Sequence, residues 1–227
     1  MDFNISVWKE INLFGVDIWI TESIVNTWII MAVLIVGALI LRHLFFKNAQ
    51  AVPVGVQNAV EAGVEMMQKF AGGELGKNLI WLDTWFFGII VFIAACNLSG
   101  LFGLRNPTAD AATTLALSTS SFVLINVLGF RADMKSYLKG YLEPFFLFLP
   151  VNIISAFSVI VSLGFRLFGN ILSGVIISGL LYSLLPWFAT LVWPAALHAY
   201  FDVFAGLLQA YIFTMLSMAF IKDKVGD

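Results

Sequence analysis

The sequence predicts an all-α, polytopic membrane protein with about five membrane helices and one amphipathic helix on the membrane surface. Of its 227 residues, 60% are hydrophobic and 11% are charged, whereas soluble domains are about one-quarter charged. The charges collect at the ends of long apolar runs, as expected for helices that cross a bilayer. The last two runs are longer than an upright crossing requires, so we expect them to be strongly tilted. We expect one integral membrane domain over residues 1–227.

The first membrane helix is predicted over residues 23–46. No charged residue lies between Glu22 and Arg42, and this run is long enough to cross a hydrocarbon core of ~30 Å. Residues 52–78 then carry apolar side chains at helical spacing, with acidic and amide side chains between them. Those apolar residues are Val56, Val60, Val64 and Met67. The pattern is typical of an amphipathic helix on the membrane surface.

Residues 83–131 predict a transmembrane hairpin. One uncharged run lies between Asp83 and Arg105, and a second lies between Asp110 and Arg131. Asn97 stands near the end of the first run, in CNLSGLFG, and we interpret it as a marker of the outer boundary of that span. A place in an ion access path is open for Asn97, but its spacing alone does not favour one.

Residues 143–222 predict two long helices. From Pro144 to Pro186 the only formal charge is Arg166, and as one helix this stretch would be about 63 Å long, roughly twice the hydrocarbon core. It therefore crosses either twice or once with a strong tilt.

The basic residues decide between these alternatives. They follow the first span, follow the third span and end the chain, and the positive-inside rule places such clusters in the cytoplasm. They are Arg42, Lys47, Lys69, Lys77, Arg131, Lys135, Lys139, Lys222 and Lys224. Two crossings between Lys139 and Lys222 satisfy the rule. The sequence thus predicts five crossings, with the N-terminus outside and the C-terminus in the cytoplasm.

Arg166 is the residue that most needs an explanation. A cation deep in a bilayer costs a few kcal/mol or more, and arginine does not escape that cost by losing its proton. Its side chain is too short to reach either end of the long segment. Arg166, Asn170 and Ser173 share one helical face.

Glycines recur along the same segment at Gly164, Gly169, Gly174 and Gly179. Small residues let membrane helices pack closely. They serve either packing within this chain or the approach of helices from another protein to Arg166.

The fifth segment places His198, Asp202 and Gln209 near one helical face. An imidazole, a carboxylate and an amide together are suited to relaying protons or coordinating a cation. Structural alternatives remain: Asp202 as a static counter-ion to Arg166, Gln209 as an interhelical hydrogen-bonding group, and His198 as an interfacial residue close to Pro194.

Several functions are excluded by the residues. HExxH, GxSxG and GxxxxGK[ST] are absent, so we expect no catalytic or nucleotide site, and we expect no cofactor or metal. With few basic residues and a net charge of −2, we expect no nucleic-acid binding.

The segment SLGFRLFGN closely resembles the signature of subunit a of F-type ATP synthases. The resemblance continues in PTADAATTLALS, EPFFLFLPVNIISAFS and FDVFAGLLQAYIF, and covers the chain from about Asn97 onward. It implies a non-catalytic stator subunit whose two half-channels couple the flow of H⁺ or Na⁺ to rotation of a c-ring and to ATP synthesis. The implied partners are the c-ring proteolipid subunits, b-type peripheral stalk subunits and, indirectly, the ATPase head. The implied location is a bacterial plasma (inner) membrane, with an organellar inner membrane as the alternative.

The resemblance also implies roles for individual residues in ion translocation. Arg166 matches the arginine that faces the rotor carboxylate, Asn170 the polar residue one turn later, and Gln209 a glutamine on the facing helix. Asp202 falls where members carry an acidic residue or histidine in an access half-channel. The chain departs from the family at Val175, where Glu or His is usual. Either His198 or Ser178 replaces that group, or the aqueous path is wetter and needs fewer relay groups. A stand-alone secondary transporter or channel is the competing hypothesis, although the sequence lacks the internal repeats of many transporters.

Overall fold

A computed structural model describes residues 7–13, 16–45, 55–143, 145–184 and 193–225. The helices are α1 (Glu22–Phe45), α2 (Val56–Leu75), α3 (Asp83–Leu98), α4 (Ala111–Ala132), α5 (Met134–Leu142), α6 (Leu149–Leu184), α7 (Trp193–His198) and α8 (Gly206–Val225), with a π-helical segment (Ala199–Ala205) joining α7 to α8. Short 3₁₀ turns cover Lys77–Leu82, Ser99–Phe102, Pro107–Ala109 and Phe146–Phe148. The junction between the predicted first helix and surface segment, including Lys47, lies outside the described residues.

Within the described ranges, five helical stretches are long and apolar enough to cross a membrane. They are Glu22–Leu44, Leu79–Phe102, Ala111–Ala132, Phe146–Leu184 and Ala196–Val225. The prediction of an all-α polytopic membrane protein with five long apolar helices is confirmed. The tilt of the last two stays a prediction.

A small antiparallel sheet precedes α1, and the sequence analysis did not predict it. It pairs β1 (Val7–Leu13) with β2 (Val16–Thr21), with an irregularity in register between Val7 and Lys9. Both strands mix β-branched and aromatic residues with polar ones, a composition that favours strands. The sheet is an addition at one end of the helical membrane domain.

Helix α2 is amphipathic, and its contacts with the hydrophobic core lie in its second half. Met67, Ala71 and Leu75 are buried in a core cluster with residues of α3, α4 and α8. Val56 and Val64, earlier on the predicted apolar stripe, remain exposed. The apolar surface near Val56 and Val64 therefore remains available to a membrane surface.

The two ends of the helix bundle are marked by different contacts. Near the first end, the Asn26 amide at the start of α1 donates to the Arg105 carbonyl between α3 and α4, at 3.0 Å. At the second end, a Cβ added to Gly129 would lie 3.2 Å from Cβ of Lys224, so the basic ends of α4 and α8 meet there. This grouping of basic ends matches the charge pattern that the positive-inside rule requires on one side.

Helix α6 is one continuous helix of 36 residues, about 54 Å long at 1.5 Å per residue. It packs along α4 and also contacts α8 and the π-helical segment. Its inward face supplies Leu163 and Leu167 to a second core cluster with Ile93, Ala210 and Phe213. Because the rest of α6 is largely uncovered, much of this long helix is a free surface.

Candidate functional site

Arg166 lies near the middle of α6, on the face turned away from the core. Its side chain is exposed, whereas Leu163, Leu167 and Ile171 on the adjacent face are buried. Exposed serines continue the outward face on both sides of Arg166, at Ser162 and Ser173. The chain therefore presents a cation on an outer surface within a membrane-length helix, where free lipid would be a costly neighbour.

Arg166 forms no hydrogen bond or ion pair within the part of the chain that the structure describes. The carboxylate that could neutralise it, Asp202, contacts His198 instead, with Asp202 Oδ2 2.6 Å from His198 Nδ1. A static Arg166–Asp202 ion pair is thus not present. Among the described residues, no group neutralises the guanidinium, so it is available to a group outside this chain.

The glycines of α6 divide between the two expected uses. A Cβ on Gly164 would lie 2.9 Å from Ser118 Oγ of α4, and one on Gly174 would lie 3.1 Å from the Phe201 side chain. These two glycines serve packing within the chain. A Cβ on Gly169 would meet nothing within 4 Å, and Gly169 is one turn from Arg166. The absence of a side chain there leaves open space beside the cation.

Asn170 links α6 to the final helical segment. Its amide Nδ2 donates to the Ala205 carbonyl at 3.3 Å, and Ser173 Oγ donates to the Asn170 carbonyl at 2.8 Å. Ala205 ends the π-helical segment, and the wider turns of a π-helix disturb the regular hydrogen bonding of the α-helix. Asn170 therefore fixes Arg166's helix against this irregular stretch.

The π-helical segment also repositions the predicted polar stripe. Residues 199–205 lie between His198 and Gln209 and include Asp202. Because an i→i+5 turn holds more residues than an α-turn, a straight α-helical projection does not apply across it. His198, Asp202 and Gln209 therefore do not follow one regular α-helical stripe. His198 and Asp202 nevertheless contact each other.

A hydrogen-bonded chain of three side chains runs through this region. The Asp202 carboxylate accepts from His198 Nδ1, and His198 Nε2 lies 3.3 Å from the Tyr182 hydroxyl on α6. With the Nδ1 proton donated to Asp202, neutral imidazole leaves Nε2 to accept from Tyr182. The side chains of His198 and Asp202 are 37% and 14% exposed. The series of hydrogen bonds therefore passes from the more exposed His198 to the more enclosed Asp202. Tyr182 was not among the sequence-predicted site residues.

A buried polar cluster adjoins Asp202, and sequence reasoning assigned it no such place. It consists of Asn97, Ser99, Asn106 and Thr108, all buried at the α3–α4 connection. Asn97 Nδ2 donates to the Gly206 carbonyl at 2.8 Å, and Thr108 Oγ1 donates to Asn97 Oδ1 at 2.7 Å. Asn97 is thus fully buried against α8. The signal in the sequence was four polar side chains in a short stretch, but spacing along one segment does not reveal a contact with a distant one.

The buried polar cluster meets the Asp202 carboxylate at Gly100. A Cβ placed on Gly100 would lie 2.7 Å from Asn106 Oδ1 and 3.1 Å from Asp202 Oδ2. The Asp202 carboxylate therefore rests against the Gly100 backbone beside Asn106. A continuous polar region extends from Tyr182 through His198 and Asp202 to Asn106.

Gln209 is buried on α8 with 5% exposure, and its amide nitrogen has no hydrogen-bond partner among the described residues. A buried donor without a partner costs roughly 1–3 kcal/mol, and such groups are few in native proteins. A nearby water or an approaching group would satisfy it.

Comparison with known proteins agrees with this geometry. A family model described as ATP synthase A chain matches residues 24–222. The chain is 34% identical to "ATP synthase subunit a" of Staphylococcus carnosus (strain TM300), with 95% of each chain covered. It is likewise 34% identical, over 95% of each chain, to the proteins of the same name from Staphylococcus saprophyticus and Staphylococcus aureus (strain JH9). The chain belongs to the ATP synthase A chain family.

Family membership settles the broad function. The chain is a non-catalytic, ion-translocating membrane stator subunit of an F-type ATP synthase, and the stand-alone transporter hypothesis is not favoured. It is an integral membrane protein of a bacterial plasma membrane.

The departure from the family at Val175 can now be placed on α6. Val175 is half-buried, and Ser178 is buried three residues later. No hydrogen bond joins Ser178 to His198 or Asp202 in the described part of the chain. Of the two candidate replacements, His198 is the one that contacts Asp202.

Proposed function

We propose that Arg166 is the fixed cation of the stator and faces the ion-carrying carboxylates of a c-ring. The observation that carries this proposal is the exposed Arg166 guanidinium in the middle of α6, which has no partner among the residues that the structure describes. A carboxylate in lipid is stable when it holds its ion and is neutral, and a nearby cation favours its ionised form. Each ring carboxylate therefore releases its ion as it reaches Arg166 and takes up another after passing.

The cation also separates two half-channels. An ion that approached Arg166 directly would meet a fixed positive charge, so it does not pass from one half-channel to the other without the ring. Each elementary charge that crosses 100 mV releases about 2.3 kcal/mol, and several such steps are needed for one ATP. Blocking the direct route keeps this energy coupled to rotation.

One half-channel runs, in this proposal, along Tyr182, His198 and Asp202 to the polar cluster around Asn106. The support is the hydrogen-bonded contacts at 3.3 and 2.6 Å and the proximity of Asp202 to Gly100 and Asn106. His198 supplies the titratable group that the family usually has at the place of Val175. The unpartnered Gln209 amide contributes a hydrogen bond to water or to a passing group, and Asn170 positions Arg166 relative to this path.

The partners and orientation form part of the same proposal. The c-ring lies against the outward face of α6, b-type peripheral stalk subunits bind elsewhere on the membrane domain, and the ATPase head is connected through them. The C-terminus lies in the cytoplasm, because the basic ends of α4 and α8 meet on one side and the positive-inside rule assigns that side.

Cysteine cross-linking tests the placement of the ring. Ser162→Cys or Ser173→Cys would be combined, in the whole complex, with a cysteine on the outer ring surface one turn from the ring carboxylate. Both positions are on the exposed face of α6, so oxidation is expected to join the two subunits. Val33→Cys on α1, an exposed membrane position on another helix, is the matched control. Cross-linking from Val33 but not from α6 would refute the placement.

A further inference from the structure

The basic end of the bundle contains a shallow, open cavity that the ion path does not use. It has a volume of about 320 Å³ and is lined by Asn126, Val127, Phe130, Arg131 and Tyr137. These residues come from the last turns of α4 and from α5. The cavity therefore lies where a membrane-length helix reaches its charged end, at the level expected for lipid headgroups.

The walls of the cavity are chemically divided. Val127 and Phe130 are 42% and 45% exposed and give it an apolar side. Arg131 gives it a cation that forms no hydrogen bond or ion pair with any described residue. An amphiphile with an anionic head and an apolar tail matches both sides.

The polar rim is held in place by hydrogen bonds. Tyr137 Oη donates to Asn126 Oδ1, and the hydroxyls of Tyr137 and Tyr141 are 3.0 Å apart. Burial, and then the hydrogen bond with Tyr141, raises the pKa of Tyr137, so its hydroxyl stays neutral and adds no negative charge. Asn126 in turn donates to the Phe122 carbonyl of α4 at 2.6 Å. Hydrogen bonds within the chain therefore fix the positions of the rim side chains.

Further cations stand near this rim. Lys224 lies 5.2 Å from the centre of the Tyr141 ring, and exposed Lys135 begins α5. Lys139 is paired with Glu143 at 3.4 Å, with both side chains largely exposed. Asp133, the N-cap of α5, accepts from the Lys135 backbone. Arg131, Lys135 and Lys224 outnumber the carboxylates of Asp133 and Asp223, so the field near the cavity favours an anion.

We propose that this cavity binds an anionic glycerophospholipid, with its phosphate at Arg131 and an acyl chain along Val127 and Phe130. Basic pockets between membrane helices on the cytoplasmic side are suited to such headgroups. The apolar wall distinguishes a lipid from free phosphate, which would gain nothing from Val127 and Phe130. The site is separate from Arg166 and does not depend on the proposed ion path.

Photolabelling of the intact complex tests the proposal. The complex would be placed in phosphatidylcholine nanodiscs with a trace of phosphatidylglycerol that carries a diazirine on one acyl chain. After illumination, labelled peptides would be mapped by mass spectrometry. We expect label within residues 126–137, competed by unlabelled phosphatidylglycerol and not by phosphatidylcholine or inorganic phosphate.

Two pairs of variants test separately whether lipid binding depends on the charge of Arg131 and on the space beside Val127. Arg131→Gln is expected to lower labelling about fivefold, since one basic residue near an anionic headgroup contributes to binding on that scale. Arg42→Gln, at the exposed charged end of α1, should leave it unchanged. Val127→Trp fills the cavity and should abolish labelling there, whereas Val33→Trp on α1 should not.

Four outcomes would overturn the proposal. Equal competition by phosphatidylcholine would show that the site does not select an anionic headgroup. Equal labelling of Arg131→Gln and the unaltered chain would show that Arg131 does not bind that headgroup. Competition by inorganic phosphate equal to that by phosphatidylglycerol would indicate a free-anion site. Labelling that requires prior removal of the partner subunits would show that a protein covers the cavity.

Discussion

His198 and Asp202 are joined at 2.6 Å, Nδ1 to Oδ2, at the start of the π-helical segment that interrupts the final membrane helix. This contact commits the Asp202 carboxylate to the imidazole and leaves Arg166 without a partner in the described part of the chain. The same contact supplies a titratable pair although Val175 stands where the family usually has one member of such a pair. In the proposed function, Arg166 is the fixed cation and Asp202 is a separate, ion-exchanging carboxylate.

Loss of the Asp202 carboxylate should slow ion flux without preventing assembly. We expect Asp202→Leu to reduce passive and ATP-driven flux at least about tenfold, since a positioned proton-transfer group contributes roughly 10²–10⁴-fold. Flux would be measured in vesicles containing the complex, with subunit content checked by native gels. Asp223→Asn, an exposed carboxylate near the end of α8, is the control. A fully active Asp202→Leu complex would leave Asp202 with a structural role.

Removal of the Tyr182 hydroxyl should have a smaller effect. Tyr182→Phe keeps the ring and deletes the group 3.3 Å from His198 Nε2. We expect flux to fall by about two- to tenfold, consistent with about 0.5–1.5 kcal/mol for a hydrogen bond. Tyr200→Phe changes an exposed ring on the π-helical segment and serves as the comparison. An equal decrease in both variants would argue against a specific Tyr182–His198 connection.

The glycines of α6 should differ in what their substitution disturbs. Gly164→Val forces a side chain into Ser118 and Leu115, and overpacking of this kind costs about 1–3 kcal/mol. We expect a lower melting temperature and poor incorporation into the complex. Gly169→Val meets open space, so the subunit should remain stable while ring rotation slows. Equal thermal stability of the two variants would contradict this division.

Asn97 should be required for the shape of the access region. Asn97→Leu leaves the Thr108 hydroxyl and the Gly206 carbonyl without the partners they have at 2.7 and 2.8 Å. The expected loss of stability is about 1–3 kcal/mol, with reduced ion flux, as measured by thermal unfolding in detergent and by vesicle assays. Asn126→Leu, which alters a different amide at the basic end of α4, controls for loss of a hydrogen-bonded amide. Unchanged stability and flux in Asn97→Leu would exclude the cluster from the site.

The five long apolar helices could be predicted because charge spacing reports directly on membrane crossings. Arg166 could also be singled out from sequence, since an isolated arginine in a long apolar run is costly whatever surrounds it. Helical spacing also singled out Asn170, Asp202 and Gln209, and the resemblance to subunit a added a role in ion translocation for each.

The arrangement of neighbours could not be predicted in the same way. Asn97 contacts a carbonyl 109 positions away, and helical periodicity describes one segment at a time. The π-helical turns depend on how α6, α3 and the final helix pack together, and no pattern of residue spacing in the sequence predicts them. For the same reason, the sequence left open which glycines of α6 pack internally and which one faces outward.

The charge of Arg166 is the central claim, and ATP-driven ion pumping by Arg166→Ala tests it most directly. The variant complex would be reconstituted beside Arg166→Lys and Ser162→Ala, the last on the same exposed face. We predict that Arg166→Ala abolishes pumping and permits passive leak, that Arg166→Lys is severely impaired because lysine can lose its proton in an apolar site, and that Ser162→Ala pumps at the unaltered rate. Pumping by Arg166→Ala at the rate of the unaltered complex would contradict the account.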